Sequence, residues 1–399
     1  MHQNIENLVK VASKPERMVI GLMSGTSMDG LDIALCLIKG AGEATQFELK
    51  AFTTIAYTND FKKKILSIFS KEIASLETLC LLNAWIGKQH GKMVLDALKT
   101  WHIATETVDM IASHGQTIYH APKSLHPNSE YAPATLQIGD GDHIAVTTGI
   151  LTLSDFRQKH VAAGGEGAPL AVYGDYLLCS HPTQNRLLLN MGGISNFTYL
   201  AAGCTLDQVF STDTGTGNTL MDAYTRKHFA PMAYDKDGAV AAKGKINNAL
   251  LVELKAHSFF SLALPKTIGP ELFNLEFLAK AQTASHTISI SPEDVMATLN
   301  RFSAETIAAC IQSSIPSGTL FNMYCSGGGM HNPLLMGHLK SLLPNATLYS
   351  SKVLGINPDA KEAILFALLA NEAVAGTPLF AGGHATIIPI TMGKISFPL

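Results

Sequence analysis

The chain has 399 residues, of which 47% are hydrophobic and 15% charged, with a formal net charge of -3. That length allows two or three domains around a large buried core, and the composition belongs to a compact globular protein rather than a disordered one. The weak net charge and the lack of a basic run give no electrostatic reason to expect nucleic acid or an anionic membrane surface as a partner.

Residues 1–17 are polar and lack the apolar core of a secretory signal, and no stretch reaches the roughly 18 to 20 apolar residues of a membrane span. The six cysteines (Cys36, Cys80, Cys179, Cys204, Cys310 and Cys325) are scattered, with no C-x-x-C pair, and each lies in or beside an apolar run. Reduced, buried thiols are the expectation. The expected setting is cytoplasmic and the expected partners are small molecules. The oligomeric state is left open, a homodimer being one reading.

In chain order, the apolar run 18–23 enters a turn rich in Gly, Ser, Thr and Asp, and a second apolar run, 33–38, leaves it. This is the pattern of a β-hairpin. Its turn offers backbone N–H groups, hydroxyls and glycines suited to cradling a phosphate, with Asp29 or Asp32 able to hold a metal or a sugar hydroxyl. An ordinary surface hairpin is the alternative. Residues 47–57 read as a third strand, and 60–69 and 76–98 as helices. A short strand, 108–112, is expected to deliver Ser113-His114-Gly115-Gln116-Thr117 at its end. Strand 136–138 ends at Gly139-Asp140-Gly141, and strand 150–153 ends at Ser154-Asp155-Phe156-Arg157. Polar clusters at the ends of strands that alternate with helices imply an α/β sheet with its site along that edge.

Residues 187–200 repeat the construction of strand, Gly-rich turn (Gly192, Gly193) and strand. Two such hairpins suggest a duplicated architecture with a nucleotide between the halves, divided near residue 185. The expected domains are 1–185 and 186–399, with the last segment able to return to the first. Strand 209–212 is expected to end in Asp213-Thr214-Gly215-Thr216-Gly217-Asn218, ahead of a helix over 218–229. Helices are predicted over 292–313 and 360–375, the first capped by Ser291 with Pro292 in its first turn. Strand 321–325 runs into Ser326-Gly327-Gly328-Gly329, a flat surface for a nucleoside or simply a tight turn.

Asp213 at a strand end suits a general base acting near a phosphate, or else an N-cap for the next helix. Asp155 and Arg157 could orient a sugar or carboxylate, or form a structural pair. His114 could hydrogen-bond substrate, and its spacing to His120 fits no usual metal pattern. Glu362 lies early in a helix, where the helix dipole alone favours an acid. No P-loop or dinucleotide fingerprint is present.

Gly21 to Asp32 (GLMSGTSMDGLD), SHGQT at 113–117, DFR at 155–157 with AGGEGAP at 163–169, NMGGISN at 190–196 and CSGGGMHN at 325–332 resemble the anhydro-N-acetylmuramic acid kinase family, within the sugar kinase, actin and heat-shock ATPase superfamily. The motifs span nearly the whole chain in consistent order. The resemblance implies a two-domain actin-like, ribonuclease H-like fold with a central nucleotide cleft. It implies ATP and Mg²⁺ as cofactors, and an activity that opens 1,6-anhydro-N-acetylmuramic acid with water and phosphorylates O6. Asp213, in a D-x-G-x-G-N context, then activates the water. Gly25, Thr26, Ser27, Met28 and Asp29, with Gly192, Gly193 and Gly327, Gly328 and Gly329, fall on the ATP site, and Asp29 is the candidate metal ligand. His114, Gln116, Thr117, Asp155, Arg157, Gly215 and Asn218 fall on the substrate side, with Glu362 as a supporting acid. The chain departs from the family pattern at Gln158-Lys159-His160, Glu166, Ile268 and Pro270, all on the sugar side of the implied site. The rival readings are a sugar kinase without ring opening and an actin-like or chaperone-like ATP switch.

Overall fold

The structure, a computed structural model, describes every residue except 27, 122, 124–125, 127–129, 168–169, 269–271, 358 and 377–389, and Glu43 in its backbone alone. The chain forms two compact units, residues 1–179 with 356–399, and residues 180–355.

The first unit begins with α1 (Gln3–Ser13), followed by the hairpin of β1 (Glu16–Ser24) and β2 (Gly30–Lys39). β3 (Gln46–Ala56) pairs antiparallel to β2. α2 (Asn59–Leu66) is capped by Thr58, and α3 (Leu76–Thr100) by Ser75. β4 (Met110–Ala121), β5 (Ala134–Ile138), α4 (Gly141–Thr148), β6 (Thr152–Ser154), α5 (Phe156–Ala162) and α6 (Ala171–Cys179) complete this part. Ile20, Leu22, Leu31, Ile33 and Leu35 pack with Ile86 and Val94 of α3 in its core.

The second unit holds β7 (Arg186–Met191), β8 (Ile194–Leu200), β9 (Phe210–Thr216), α7 (Thr219–His228), α8 (Asn248–Lys255) and α9 (Leu275–Ala284). It continues with α10 (Pro292–Ser314), β10 (Phe321–Ser326), α11 (Pro333–Leu342) and β11 (Ala346–Ser350). The Ser291 hydroxyl accepts the Asp294 N–H at 3.1 Å, as its sequence position predicts. The chain then supplies α12 (Lys361–Ala375) and the edge strand β12 (Lys394–Ser396) to the first unit. α12 is apolar almost all round and buried from Ala363 to Glu372, as expected of a helix enclosed by its own unit.

The two sheets share one plan. The second reads β11-β10-β7-β8-β9, and the first reads β6-β4-β1-β2-β3, with β12 beyond β6 and β5 attached to β4. In both, only the second strand of the opening hairpin runs antiparallel to the other strands of that path. The duplication suggested by two hairpins is therefore present in strand order and direction, which side-chain similarity would not have revealed.

Two strands run further than their apolar residues predict. β4 does not stop at Ala112 but continues through the SHGQT motif to Ala121. Residues 110–113 pair in parallel with β1 and β6, while residues 116–121 pair antiparallel with β5. Gly115, at φ 78°, lies at this junction, where Gln116 still pairs with Ser24 of β1 as the antiparallel pairing to β5 begins. Likewise β9 carries Asp213 within the strand, opposite Asn196 at a bulge. Polar residues hold a strand where backbone partners on the next strand are free, whatever their own preference. The expectation of buried cysteines fails at Cys80, which is exposed on α3, while the other five are buried. No helix among the described residues is long and apolar enough to cross a membrane.

Candidate active site

In the first unit the turn after β1 is held from beneath. Ser24 Oγ donates to Gln116 Oε1 at 2.6 Å, and Gln116 Nε2 donates to the carbonyl of Gly25 at 3.1 Å. Gly25 and Thr26 lie at the surface side of this turn and Asp29 is exposed, whereas the Met28 side chain belongs to the core, leaving its backbone to face the turn. Ser27 lies outside the described residues.

His114 and Gln116 are buried, at 2% and 0% exposure, and make their hydrogen bonds within the unit. His114 Nε2 accepts from Arg157 Nε at 2.8 Å, so its proton resides on Nδ1, which donates to the Gly115 carbonyl at 2.8 Å. Arg157 also donates to the Gly167 carbonyl at 2.6 Å. The alternative of a structural Asp155–Arg157 pair is overturned: Asp155 pairs instead with Lys394 of β12. The reason is geometric, since Asp155 adopts left-handed backbone (φ 57°) ahead of α5 and β12 runs beside β6. Thr117 Oγ1 accepts from Gln137 Nε2 at 3.3 Å.

Glu362, the second residue of α12, has a carboxyl raised above its usual range by burial, opposed by the charge of Arg157 and reinforced by that of Asp32. Asp32 is itself raised, first by burial and then by its acidic neighbours Asp359 and Asp29, while the Thr54 hydroxyl donates to it at 2.5 Å. The expected Asp29, Asp32 and Glu362 thus share one electrostatic neighbourhood with Arg157. Among the described residues no group of three His, Cys, Asp or Glu side chains is arranged to hold a metal by itself.

In the second unit Asp213 is half-buried, and its Oδ2 accepts the Ile268 N–H at 2.8 Å. Burial raises its carboxyl and this hydrogen bond opposes the rise. The alternative of Asp213 as an N-cap is overturned, because α7 begins after Asn218 and Asp213 serves the 266–268 segment instead. That segment is pinned by Lys266, whose ammonium donates to the Phe259 carbonyl at 3.0 Å and whose carbonyl accepts the Asp213 N–H at 2.9 Å. Gly192 and Gly193 form the β7–β8 turn, and their carbonyls accept the N–H groups of Asn218 and Gly217 at 2.9 and 2.8 Å. Asn218 Nδ2 donates to the Met191 carbonyl at 3.0 Å. Gly327 and Gly329 pack on Met191 so closely that an added Cβ would lie 2.6 Å from its backbone and 2.7 Å from its Cβ, respectively. Both glycine turns and Asn218 are therefore brought together, and Gly215 (φ 135°) follows Asp213 on β9.

The departures from the family pattern have local roles. Gln158 donates to the Thr135 carbonyl at 2.5 Å, His160 Nδ1 accepts the Gly167 N–H at 2.9 Å, and Glu166 accepts the Lys123 N–H at 3.3 Å. Pro270 lies outside the described residues, as do residues 168–169 of the AGGEGAP run. Sequence reasoning missed Lys394, Tyr57 and His90. Nothing local marks them, because each acquires its partner through distant pairing.

The two buried histidines give a pH signature. Burial first, and for His114 also the Arg157 charge, lowers both to about 3. The folded state holds them neutral while the unfolded chain protonates them near 6.5, so the stability they contribute is full above about 6.5 and is lost as pH falls toward 3. Raised carboxyls such as Glu362 act in the opposite direction. The expected outcome is that His90→Gln loses less stability on acidification than the native chain, by up to about 1.4 kcal/mol per pH unit, the slope for one proton. Denaturant unfolding at several pH values between 4 and 7 checks it; equal slopes would contradict it.

Two sheets of this order, each opened by a hairpin with a glycine-bearing turn, define an α/β protein of the ribonuclease H-like, actin-like class. A sequence profile described as anhydro-N-acetylmuramic acid kinase matches residues 17–386. A protein of that name from Pseudoalteromonas atlantica is 56% identical over 400 residues, covering 100% of both chains, and one from Pseudoalteromonas translucida is 53% identical with the same coverage. Among solved structures, the (R)-2-hydroxyglutaryl-CoA dehydratase component A of Acidaminococcus fermentans aligns over 90% of this chain and 99% of its own, at 11% identity and a TM-score of 0.40. The chain belongs to the anhydro-N-acetylmuramic acid kinase family.

Proposed function

We propose that this chain is an ATP-dependent kinase that opens 1,6-anhydro-N-acetylmuramic acid with water and phosphorylates O6, giving N-acetylmuramic acid 6-phosphate and ADP in cell-wall recycling. Family membership over the full chain supports the reaction. The observation that carries the mechanism is the half-buried, raised Asp213 carboxyl, oriented by the Ile268 N–H and followed by a glycine on its strand.

Asp213 takes a proton from the water that attacks C1. The C1–O6 bond breaks, and O6 attacks the γ-phosphorus as ADP leaves. Gly25 to Asp29 of the first unit are assigned to the ATP phosphates, and Gly192, Gly193 and Gly327 to Gly329 of the second to the nucleotide. On the sugar side, Arg157, Asp155, Thr117, Gly215 and Asn218 are assigned to contacts, with His114 and Gln116 acting through Arg157 and the first turn. Glu362 supports Arg157 by its charge. Mg²⁺ carried by ATP would neutralise charge developing on the phosphates. Asp29, exposed on the first turn, is the one carboxylate assigned to such an ion, with phosphate and water supplying its other ligands. The reading places the enzyme in the cytoplasm, working on small molecules.

The test is coupled ADP release with the anhydro sugar against a panel of ordinary hexoses, with product mass read alongside. Turnover that depends on the anhydro sugar, with a mass gain of phosphate plus water, is expected. A gain of phosphate alone on a hexose would favour a kinase without ring opening. ATP hydrolysis indifferent to sugar would favour an ATP switch.

A further inference from the structure

A buried hydrogen-bonded chain beneath the first turn has only one possible direction. Gln116 Nε2 donates to two carbonyls, those of Gly25 at 3.1 Å and Thr117 at 3.2 Å, so both its protons are committed. Its Oε1 must then accept, and Ser24 Oγ donates to it at 2.6 Å. With its single proton used, Ser24 Oγ accepts from the Tyr57 hydroxyl at 2.7 Å. Tyr57 in turn accepts from His90 Nε2–H at 2.8 Å. His90 is fully buried, and among the described residues its Nδ1 meets no hydrogen-bond partner, which accords with a neutral ring whose proton sits on Nε2.

The far end of the chain is the Gly25 carbonyl, which also accepts the Met28 N–H at 3.3 Å. Two donors draw this carbonyl inward. In a trans peptide the next N–H points the opposite way, so the Thr26 N–H is turned outward, at a residue that is exposed. An outward N–H beside a glycine is what a phosphate oxygen requires.

We propose that Tyr57 and His90 are positioning residues for the first phosphate turn, setting through Ser24 and Gln116 the direction in which the Thr26 N–H is presented to the nucleotide. The inference rests on the assignment of Gly25 to Asp29 to the ATP phosphates. Tyr57→Phe removes one donor proton and keeps the ring stacked on Phe61, with centroids 4.0 Å apart.

The test measures binding of ADP and of a non-hydrolysable ATP analogue, the KM values for ATP and sugar, and amide hydrogen exchange. The expected result is nucleotide affinity weakened by about three- to tenfold, the effect of one buried hydrogen bond. KM for ATP rises with it, KM for sugar is little changed, and exchange is faster at residues 25–29 than elsewhere. A general packing role would move neither the ratio of the two KM values nor that segment alone. If Tyr57→Phe does not fold, His90→Leu breaks the same chain, and His90→Gln, which keeps an N–H donor, is expected to restore binding. Native nucleotide affinity and native exchange at 25–29 in Tyr57→Phe would overturn the inference. A native chain that binds no nucleotide would overturn the phosphate-turn assignment itself, while the exchange comparison would still decide whether Tyr57 holds the turn.

Discussion

Asp213→Asn is expected to lower turnover of the anhydro sugar by between about 10²- and 10⁴-fold, the span of a lost general base. The amide keeps the size of the carboxylate, and its oxygen still accepts the Ile268 N–H, so the 266–268 segment has no reason to move. Folding, nucleotide affinity and the mass of the small remaining product should therefore match the native chain. What Asn cannot do is take the proton of the attacking water. The pH profile offers an independent check. Burial raises the Asp213 carboxyl above its usual range, and the deprotonated form is the active one, so turnover falls as pH drops through that raised value and recovers as pH rises. The limb should therefore lie above the ordinary aspartate range near 3.9 and should vanish in the variant. Near-native turnover in Asp213→Asn would remove Asp213 from the mechanism and leave the family assignment intact.

Gly21→Ala is expected to destabilise the first unit by more than about 3 kcal/mol, at or beyond the upper end of ordinary overpacking. Gly21 lies in the middle of β1, where α12 crosses the sheet. A Cβ there would sit 1.8 Å from the Ala363 carbonyl oxygen and 3.0 Å from the Ala367 nitrogen. Both obstacles are helix backbone, so no rotamer change relieves them; strand or helix must shift. The helix is buried from Ala363 to Glu372, which leaves it little room to retreat. Denaturant unfolding or soluble yield reads the effect. Gly337→Ala is the control: Gly337 lies on the exposed side of α11 with none of the described residues within 4 Å of an added Cβ, and the change should stabilise by up to about 1 kcal/mol. Native stability in Gly21→Ala would mean that α12 does not pack on β1 at this distance.

The elements that sequence alone determined are those whose signals are local. The β1–β2 and β7–β8 hairpins follow from apolar runs around Gly-rich turns, and α10 from Ser291 and Pro292 ahead of a periodic run. The motifs from Gly21 to Asn332 were enough to indicate the family. Only the tertiary structure decided where β4 and β9 end, because the polar residues of SHGQT and of Asp213 to Thr216 are held as strand by neighbouring backbones. It also decided the partners of charged side chains. Asp155 and Arg157 are two residues apart, yet one meets Lys394 and the other His114. Lys394 lies 239 residues away from Asp155 in the chain. The same holds for Tyr57, just past the end of β3, His90 of α3 and Gln116 of β4, which meet under one turn only when the sheet forms. A local pattern records which residues a segment can bury; which residues it faces depends on chain crossings that no single segment encodes.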